Sequence, residues 1–340
     1  MDPCLPGSYH STMGHKNQTE AIKTLAQAVV AGERRALGRA ITLVESRRED
    51  HRREAALLIE ELRPKTGRSI RIGMTGSPGA GKSTLIDTFG SNLTAAGHKV
   101  AVLAVDPTST RTGGSILGDK TRMGRLAQDT NAFIRPSPTG GTLGGVAART
   151  REAMLVCEAA GFDVIIVETV GVGQSETTVA DMVDVFVALA LPGSGDELQG
   201  LKKGVVEIAD ILAVNKAEGT NAARAREAAG DLQSALRILG ARPDGWVVPV
   251  LAISGLANEG LDELWQTINS FCKQGETTGS LAARRRRQAV IWFHAILDER
   301  IRERVLAGFE DEITRLEDTV RGGGQSAAAA AEEAMALLLR

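Results

Sequence analysis

Gly76-Ser77-Pro78-Gly79-Ala80-Gly81-Lys82-Ser83 fits the spacing G-x-x-x-x-G-K-[ST], between a strand-like run, Ile70 to Met74, and a helix-like run, Ser83 to Leu93. In that setting the pattern is a phosphate-binding loop. Its glycines let the chain curl round an anion, its backbone N–H groups converge on phosphate oxygens, and the helix behind it adds a positive N-terminal end. Lys82 is expected to reach the β- and γ-phosphates and the Ser83 hydroxyl to take a Mg²⁺ position, with Thr84 completing the binding set.

Working outward, short apolar runs alternate with helical stretches: Ser69 to Met74, Val100 to Val105, Ala132 to Arg135, Val164 to Val167, Val183 to Ala190, Ile211 to Asn215 and Val247 to Ala252. Continuous apolar runs, each closed by a polar or Gly-rich turn, read as a mainly parallel sheet covered by helices on both faces, an α/β fold. Ligands on such sheets gather beyond the carboxyl ends of the strands.

The residues at those ends carry chemistry. Asp106 closes one strand and opens a loop rich in hydroxyls, cations and glycine that runs to Asp119-Lys120-Thr121-Arg122. Such a segment suits ordering over Mg²⁺ and phosphate. Glu168 ends the run Asp163 to Val167, with Gly171 three positions on; its carboxylate can reach the magnesium shell through water, and the Gly171 N–H can serve a γ-phosphate oxygen. Asn215-Lys216-Ala217-Glu218 resembles the N-K-x-D guanine signature, and Ser254-Gly255 looks like the loop that closes over the base. A carboxylate accepts from both N1–H and the 2-amino group of guanine, whereas adenine presents a lone pair and no 2-amino group there. Glu218 carries one methylene more than the usual Asp.

Three longer runs point to a particular group. They are Ala104 to Pro107 with Arg111-Thr112-Gly113-Gly114-Ser115-Ile116-Leu117-Gly118-Asp119-Lys120-Thr121-Arg122-Met123, then Glu168 to Glu176, and Gly195-Asp196-Glu197-Leu198-Gln199-Gly200-Leu201-Lys202-Lys203-Gly204. Through them residues 20 to 310 resemble the MeaB/ArgK group of G proteins, whose human member is the methylmalonic aciduria type A protein. The resemblance implies a P-loop GTPase that binds GTP, GDP and Mg²⁺ and acts as a chaperone of an adenosylcobalamin-dependent acyl-CoA mutase. It also implies that Asp106, Asp119 and Glu168 surround the magnesium, that the segment around Lys202 is a further switch, and that a C-terminal arm makes a homodimer. Lys82, Asp106, Glu168 and Lys202 are the residues expected to carry catalysis. Gly171 is followed by Val172 and the nearest glutamine is Gln174, so hydrolysis should be slow until a partner supplies a cation from Arg111, Lys120, Arg122 or Lys202.

Composition narrows the rest. With 40 basic and 42 acidic side chains in 340 residues, no global basic field draws nucleic acid or an anionic membrane. Arg284 to Arg287, the densest basic run, reads as the solvated face of a helix. No apolar stretch reaches the roughly 18 residues that span a bilayer, and no secretory layout opens the chain, so a cytoplasmic protein is expected. Cys4, Cys157 and Cys272 are too scattered for a disulfide framework, and no Cys/His cluster forms a metal site. This argues against a nickel-delivery GTPase; a transport-associated ATPase or kinase, the other alternative, is disfavoured by Asn215 to Glu218.

Five segments are expected: a disordered leader (1–17), a helical N-terminal extension (18–65), the GTPase domain (66–275), a helical dimerisation arm (281–321) and an Ala-rich tail (322–340). The arm carries an apolar stripe, Val290, His294, Leu297, Ile301, Val305, Phe309, Ile313, Leu316 and Val320, read as one long helical segment.

Overall fold

The structure, a computed structural model, describes residues 9–105, 123–136, 143–169, 175–192, 203–240, 242 and 244–338. The chain divides into two compact units, residues 1–288 and 289–340.

The first unit opens with three helices, α1 (Tyr9–Val30), α2 (Arg34–Val44) and α3 (Glu49–Leu62), which pack on one another. Their apolar spacing buries Ile22, Val29, Leu37, Ile41, Leu58 and Leu62. The first of them begins at Tyr9, so helix covers residues 9–17 of the stretch expected to be disordered. Gly32, left-handed at φ 79°, turns the chain between α1 and α2.

Seven strands follow: β1 (Ile70–Gly76), β2 (Val100–Val105), β3 (Ala132–Pro136), β4 (Val164–Thr169), β5 (Val185–Ala190), β6 (Ile211–Val214) and β7 (Val250–Ala252). All pair in parallel, in the order β3-β2-β4-β1-β5-β6-β7. Strands in such a sheet are buried on both faces, which is why they read as unbroken apolar runs. On one face Ile72, Met74, Val102, Ile166 and Val187 form a core with Leu85, Ile86, Phe89 and Leu93 of α4 (Lys82–Ala95). Leu264, Ile268 and Phe271 of α9 (Leu261–Thr278) complete it. The opposite face is covered by α5 (Leu143–Ala159) and α6 (Ser175–Ala180). Between strands lie α7 (Lys203–Ile208) and α8 (Ala222–Leu239).

Two strand starts differ from expectation by two residues or more. β5 begins at Val185 because Asp184 is used otherwise: its N–H donates to the Arg71 carbonyl and its carboxylate receives the Arg71 N–H and Arg285. β7 begins at Val250, after Pro249, which has no N–H to give.

The basic run Arg284 to Arg287 lies in α10 (Ser280–Leu306) and is not a purely solvated face. Arg284 is bidentate on Asp210 at 2.8 and 2.9 Å, and Arg285 is bidentate on Asp184 at 2.7 and 2.6 Å. Both carboxylates are fully buried at the starts of β6 and β5. Nearby, Arg71 in β1 grips Glu158 at 2.8 and 3.0 Å, and Glu158 also accepts from Ser69 and from the Gly67 N–H. Buried charge is tolerated where each oxygen finds a donor, and these pairs meet that condition.

In the second unit the expected single stripe is broken. Val290, His294, Leu297, Ile301 and Val305 lie on α10, but Gly308 at φ 88° ends that run, and Phe309, Ile313, Leu316 and Val320 belong at or within a separate helix, α11 (Glu310–Arg321). The Ala-rich tail forms α12 (Ala327–Leu338), which packs on α11 and helps bury Leu316 and Ala330. Cys157 and Cys272 are free and buried, and burial pushes both thiols up, Cys272 to about 12. Among the described residues no helix is long and apolar enough to cross a membrane.

Candidate functional site

The loop Gly76–Ser83 joins β1 to α4 beyond the carboxyl end of the sheet, where β4 lies beside β1 with Glu168 opposite Met74. Gly81 is left-handed at φ 85°, and a Cβ there would stand 2.8 Å from Asn215 Nδ2, so both the conformation and the contact require glycine. Ala80 is buried and its N–H closes a turn on the Ser77 carbonyl, while Pro78, Gly79 and Thr84 face solvent.

Lys82 bends over this loop and donates to the Gly76 carbonyl at 2.7 Å. Burial lowers its pKa, opposed by Glu168 and Glu176, so the ammonium sits among carboxylates in a partly dehydrated position. The Ser83 hydroxyl donates to Glu168 Oε1 at 3.1 Å, and Glu168 is 3% exposed. Thr75 and Thr169, one on each of the two adjoining strands, are joined by a 2.9 Å hydroxyl bond that ties the loop's base to the end of β4. Sequence reasoning put Lys82, Ser83 and Glu168 in one place, and the structure does so too; Glu176, 5% exposed, is a further carboxylate near the ammonium that it did not single out.

The segment expected to select the base meets the same loop. Asn215, 2% exposed after β6, donates to the Ala80 carbonyl at 2.7 Å and accepts the Gly255 N–H at 3.1 Å. One amide thus bridges the phosphate loop and the loop after β7. Lys216 takes a left-handed φ of 65°, which reverses the chain, and Ala217 N–H returns to the Ile253 carbonyl. Ser254 is buried, and its hydroxyl accepts the Ala257 N–H, which holds the turn. Glu218 is half-buried, and its Oε2 is buried with no hydrogen-bond partner among the described residues. Asp106, Asp119, Gly171 and Lys202 lie outside the described residues.

A sequence profile described as "Methylmalonyl Co-A mutase-associated GTPase MeaB" matches residues 37–310. The chain belongs to the MeaB family of GTPases. It is 56% identical over 317 residues to a putative GTPase of Caulobacter vibrioides, covering 93% of this chain and 97% of that one. To GTPase ArgK of Escherichia coli it is 49% identical, covering 85% and 86% of the two chains. To the mitochondrial methylmalonic aciduria type A homolog of Mus musculus it is 44% identical, covering 92% of this chain and 78% of the relative. A crystal structure described as a LAO/AO transport system kinase superposes with a TM-score of 0.72 at 35% identity, over 99% of this chain and 100% of that one. The MeaB-family chain therefore has the P-loop GTPase fold that its phosphate loop implied.

Proposed function

We propose that this MeaB-family GTPase is a GTP-driven chaperone that gates loading or protection of the adenosylcobalamin cofactor of a partner acyl-CoA mutase. The observation that carries the guanine half of this reading is Glu218 Oε2, a buried acceptor with no donor among the described residues, on a loop that Asn215 ties to the phosphate site. A buried unsatisfied carboxylate oxygen is unfavourable, and a purine edge with two adjacent donors relieves it. The mutase half is supported by the family's description as mutase-associated and by kinship with methylmalonic aciduria type A proteins.

The donors at the phosphate end, the Ser83 hydroxyl and the Glu168 carboxylate, are hard oxygens of the kind that suit Mg²⁺. Ser83 would hold the ion directly and Glu168 through its shell, with Asp106 and Asp119 as the remaining carboxylates. Mg²⁺ held by these residues would supply charge neutralisation to the phosphates during transfer. Lys82 leaves the Gly76 carbonyl for those oxygens. Nucleotide entry thus exchanges a neutral acceptor for an anionic one. Gly171 would give its N–H to the γ-phosphate, and Lys202 would act in the segment that answers to the mutase.

With no glutamine directly after Gly171, turnover of the isolated protein is slow, and the mutase supplies the rearrangement that speeds it. A cytoplasmic homodimer, joined through the α10–α11 arm, is the assembly proposed. GTP turnover measured with and without the purified cognate mutase tests the reading. Stimulation by the mutase supports it, and fast turnover that ignores the mutase would favour an autonomous nucleotidase.

A further inference from the structure

Gly255 sits on the loop that closes over the base, and both of its backbone polar groups are held. Its N–H is held by Asn215 Oδ1 at 3.1 Å. Its carbonyl receives the Thr88 hydroxyl at 2.6 Å. Its α-carbon lies against α4 so closely that a Cβ would come within 2.7 Å of Leu85 Cα. The Asn215 side of this clamp belongs to the guanine signature already described. The Thr88 side does not, and it leads elsewhere.

Thr88 is 2% exposed, and its oxygen also accepts from Arg125 Nη2 at 2.6 Å. A guanidinium has donors only, so it occupies the lone-pair side of the hydroxyl and leaves the single Thr88 proton to the Gly255 carbonyl. Donation into a hydroxyl polarises it and strengthens the bond that it makes in turn. Arg125 is itself aimed by Asp87, which takes its Nε at 3.2 Å and the Leu126 N–H at 2.9 Å. The chain Asp87, Arg125, Thr88, Gly255 therefore runs from the turn before β3, across α4, to the base loop.

We propose that Arg125 is a positioning residue for guanine selection: acting through Thr88, it holds the Gly255 carbonyl, and with it the base loop, where Glu218 and the purine edge meet. This rests on the guanine reading of the site above. This position is unusual for a structural arginine, since its side chain is 65% exposed and its pairing with Asp87 alone would contribute little. Its second contact, into a buried hydroxyl, is what gives it a role.

The test compares GTP with ATP, which carries the same triphosphate and lacks the guanine edge, by competition against a fluorescent GDP analogue on the full-length protein. Arg125→Ala is expected to weaken GTP about three- to tenfold, the value of one net hydrogen bond, and to leave ATP within about twofold. Thr88→Val, of equal shape, should do the same. Thr88→Ser, which keeps the hydroxyl, should restore wild-type selectivity, and the Arg125→Ala, Thr88→Val double variant should be no worse than the stronger single. Parallel weakening of GTP and ATP, or an unchanged ratio in both single variants, overturns the proposal. A wild-type protein that does not prefer GTP to ATP would instead strike at the guanine reading itself, and that result is read without any variant.

Discussion

Replacing Glu218 by Gln removes the charge from the residue expected to read the base while keeping its length. In the wild-type protein Oε2 is buried without a partner among the described residues, on a half-buried side chain. Guanine N1–H and the 2-amino group would donate to the two carboxylate oxygens. The amide presents one acceptor and one donor, so one of the two guanine donors loses its acceptor and faces an N–H instead. Loss of a charged hydrogen bond is worth about 1.5 to 3 kcal/mol, which is about a tenfold to a hundredfold fall in GTP affinity. ATP offers no paired donors there, and its affinity should be almost unchanged. Competition of GTP and ATP against a fluorescent GDP analogue reads both numbers in one experiment. Glu218→Asp is the informative companion, because shortening the side chain tests whether the extra methylene is needed to reach the base. A GTP/ATP ratio unmoved by Glu218→Gln would refute this reasoning and move the guanine contact to another residue.

Lys82→Ala should abolish productive GTP binding, whereas Glu168→Ala should bind GTP and lose magnesium-dependent turnover, as isothermal titration and phosphate release can separate. Wild-type turnover in either variant contradicts the site. Glu158 should make stability acid-sensitive: burial would raise its pKa, but Arg71, Ser69 and the Gly67 N–H more than offset this and hold it below the ordinary carboxylate value. Its contribution is then present above the ordinary carboxylate pKa and is lost as pH falls through the depressed folded one. Glu158→Gln should cost about 3 to 5 kcal/mol at neutral pH in urea unfolding and flatten the acid limb; a loss below about 1 kcal/mol would show that Arg71 finds other partners. For assembly, Val290, Leu297, Ile301 and Val305 are between 38% and 56% exposed on α10, and light scattering should find a dimer at micromolar concentration. Truncation is best made after Gln288, since a cut after Gly279 would also strip Asp210 and Asp184 of Arg284 and Arg285. A monomeric intact protein contradicts the dimer.

The strands and the phosphate loop were legible because their signals are local. Val100 to Val105 and Val164 to Thr169 are buried at every position, so no polar residue interrupts them until Thr169 and Glu168 at the carboxyl end. The one charge inside β1, Arg71, was a visible irregularity whose partner, Glu158, lies 87 residues away. Arg284 and Arg285 were misread for the same reason: four adjacent arginines look like a wet surface, and the buried Asp210 and Asp184 that pair with two of them stand 74 and 101 residues back in the chain. Arg125, Thr88 and Gly255 share no motif and are brought together only by α4 crossing the sheet. The stripe of the arm was legible as helical, but Gly308 between Leu306 and Phe309 was passed over, and it is the residue that divides one expected helix into two.

The central claim is that GTP chemistry at Lys82 governs a mutase's cofactor. The most direct measurement is transfer of adenosylcobalamin into the apo form of the cognate acyl-CoA mutase, followed by cobalamin absorbance and by recovered mutase activity. It should be run with this protein and GTP, with GDP, with a non-hydrolysable GTP analogue, and with Lys82→Ala. Productive loading should depend on the nucleotide and be lost in Lys82→Ala. Loading that proceeds equally with every nucleotide and with Lys82→Ala would contradict it.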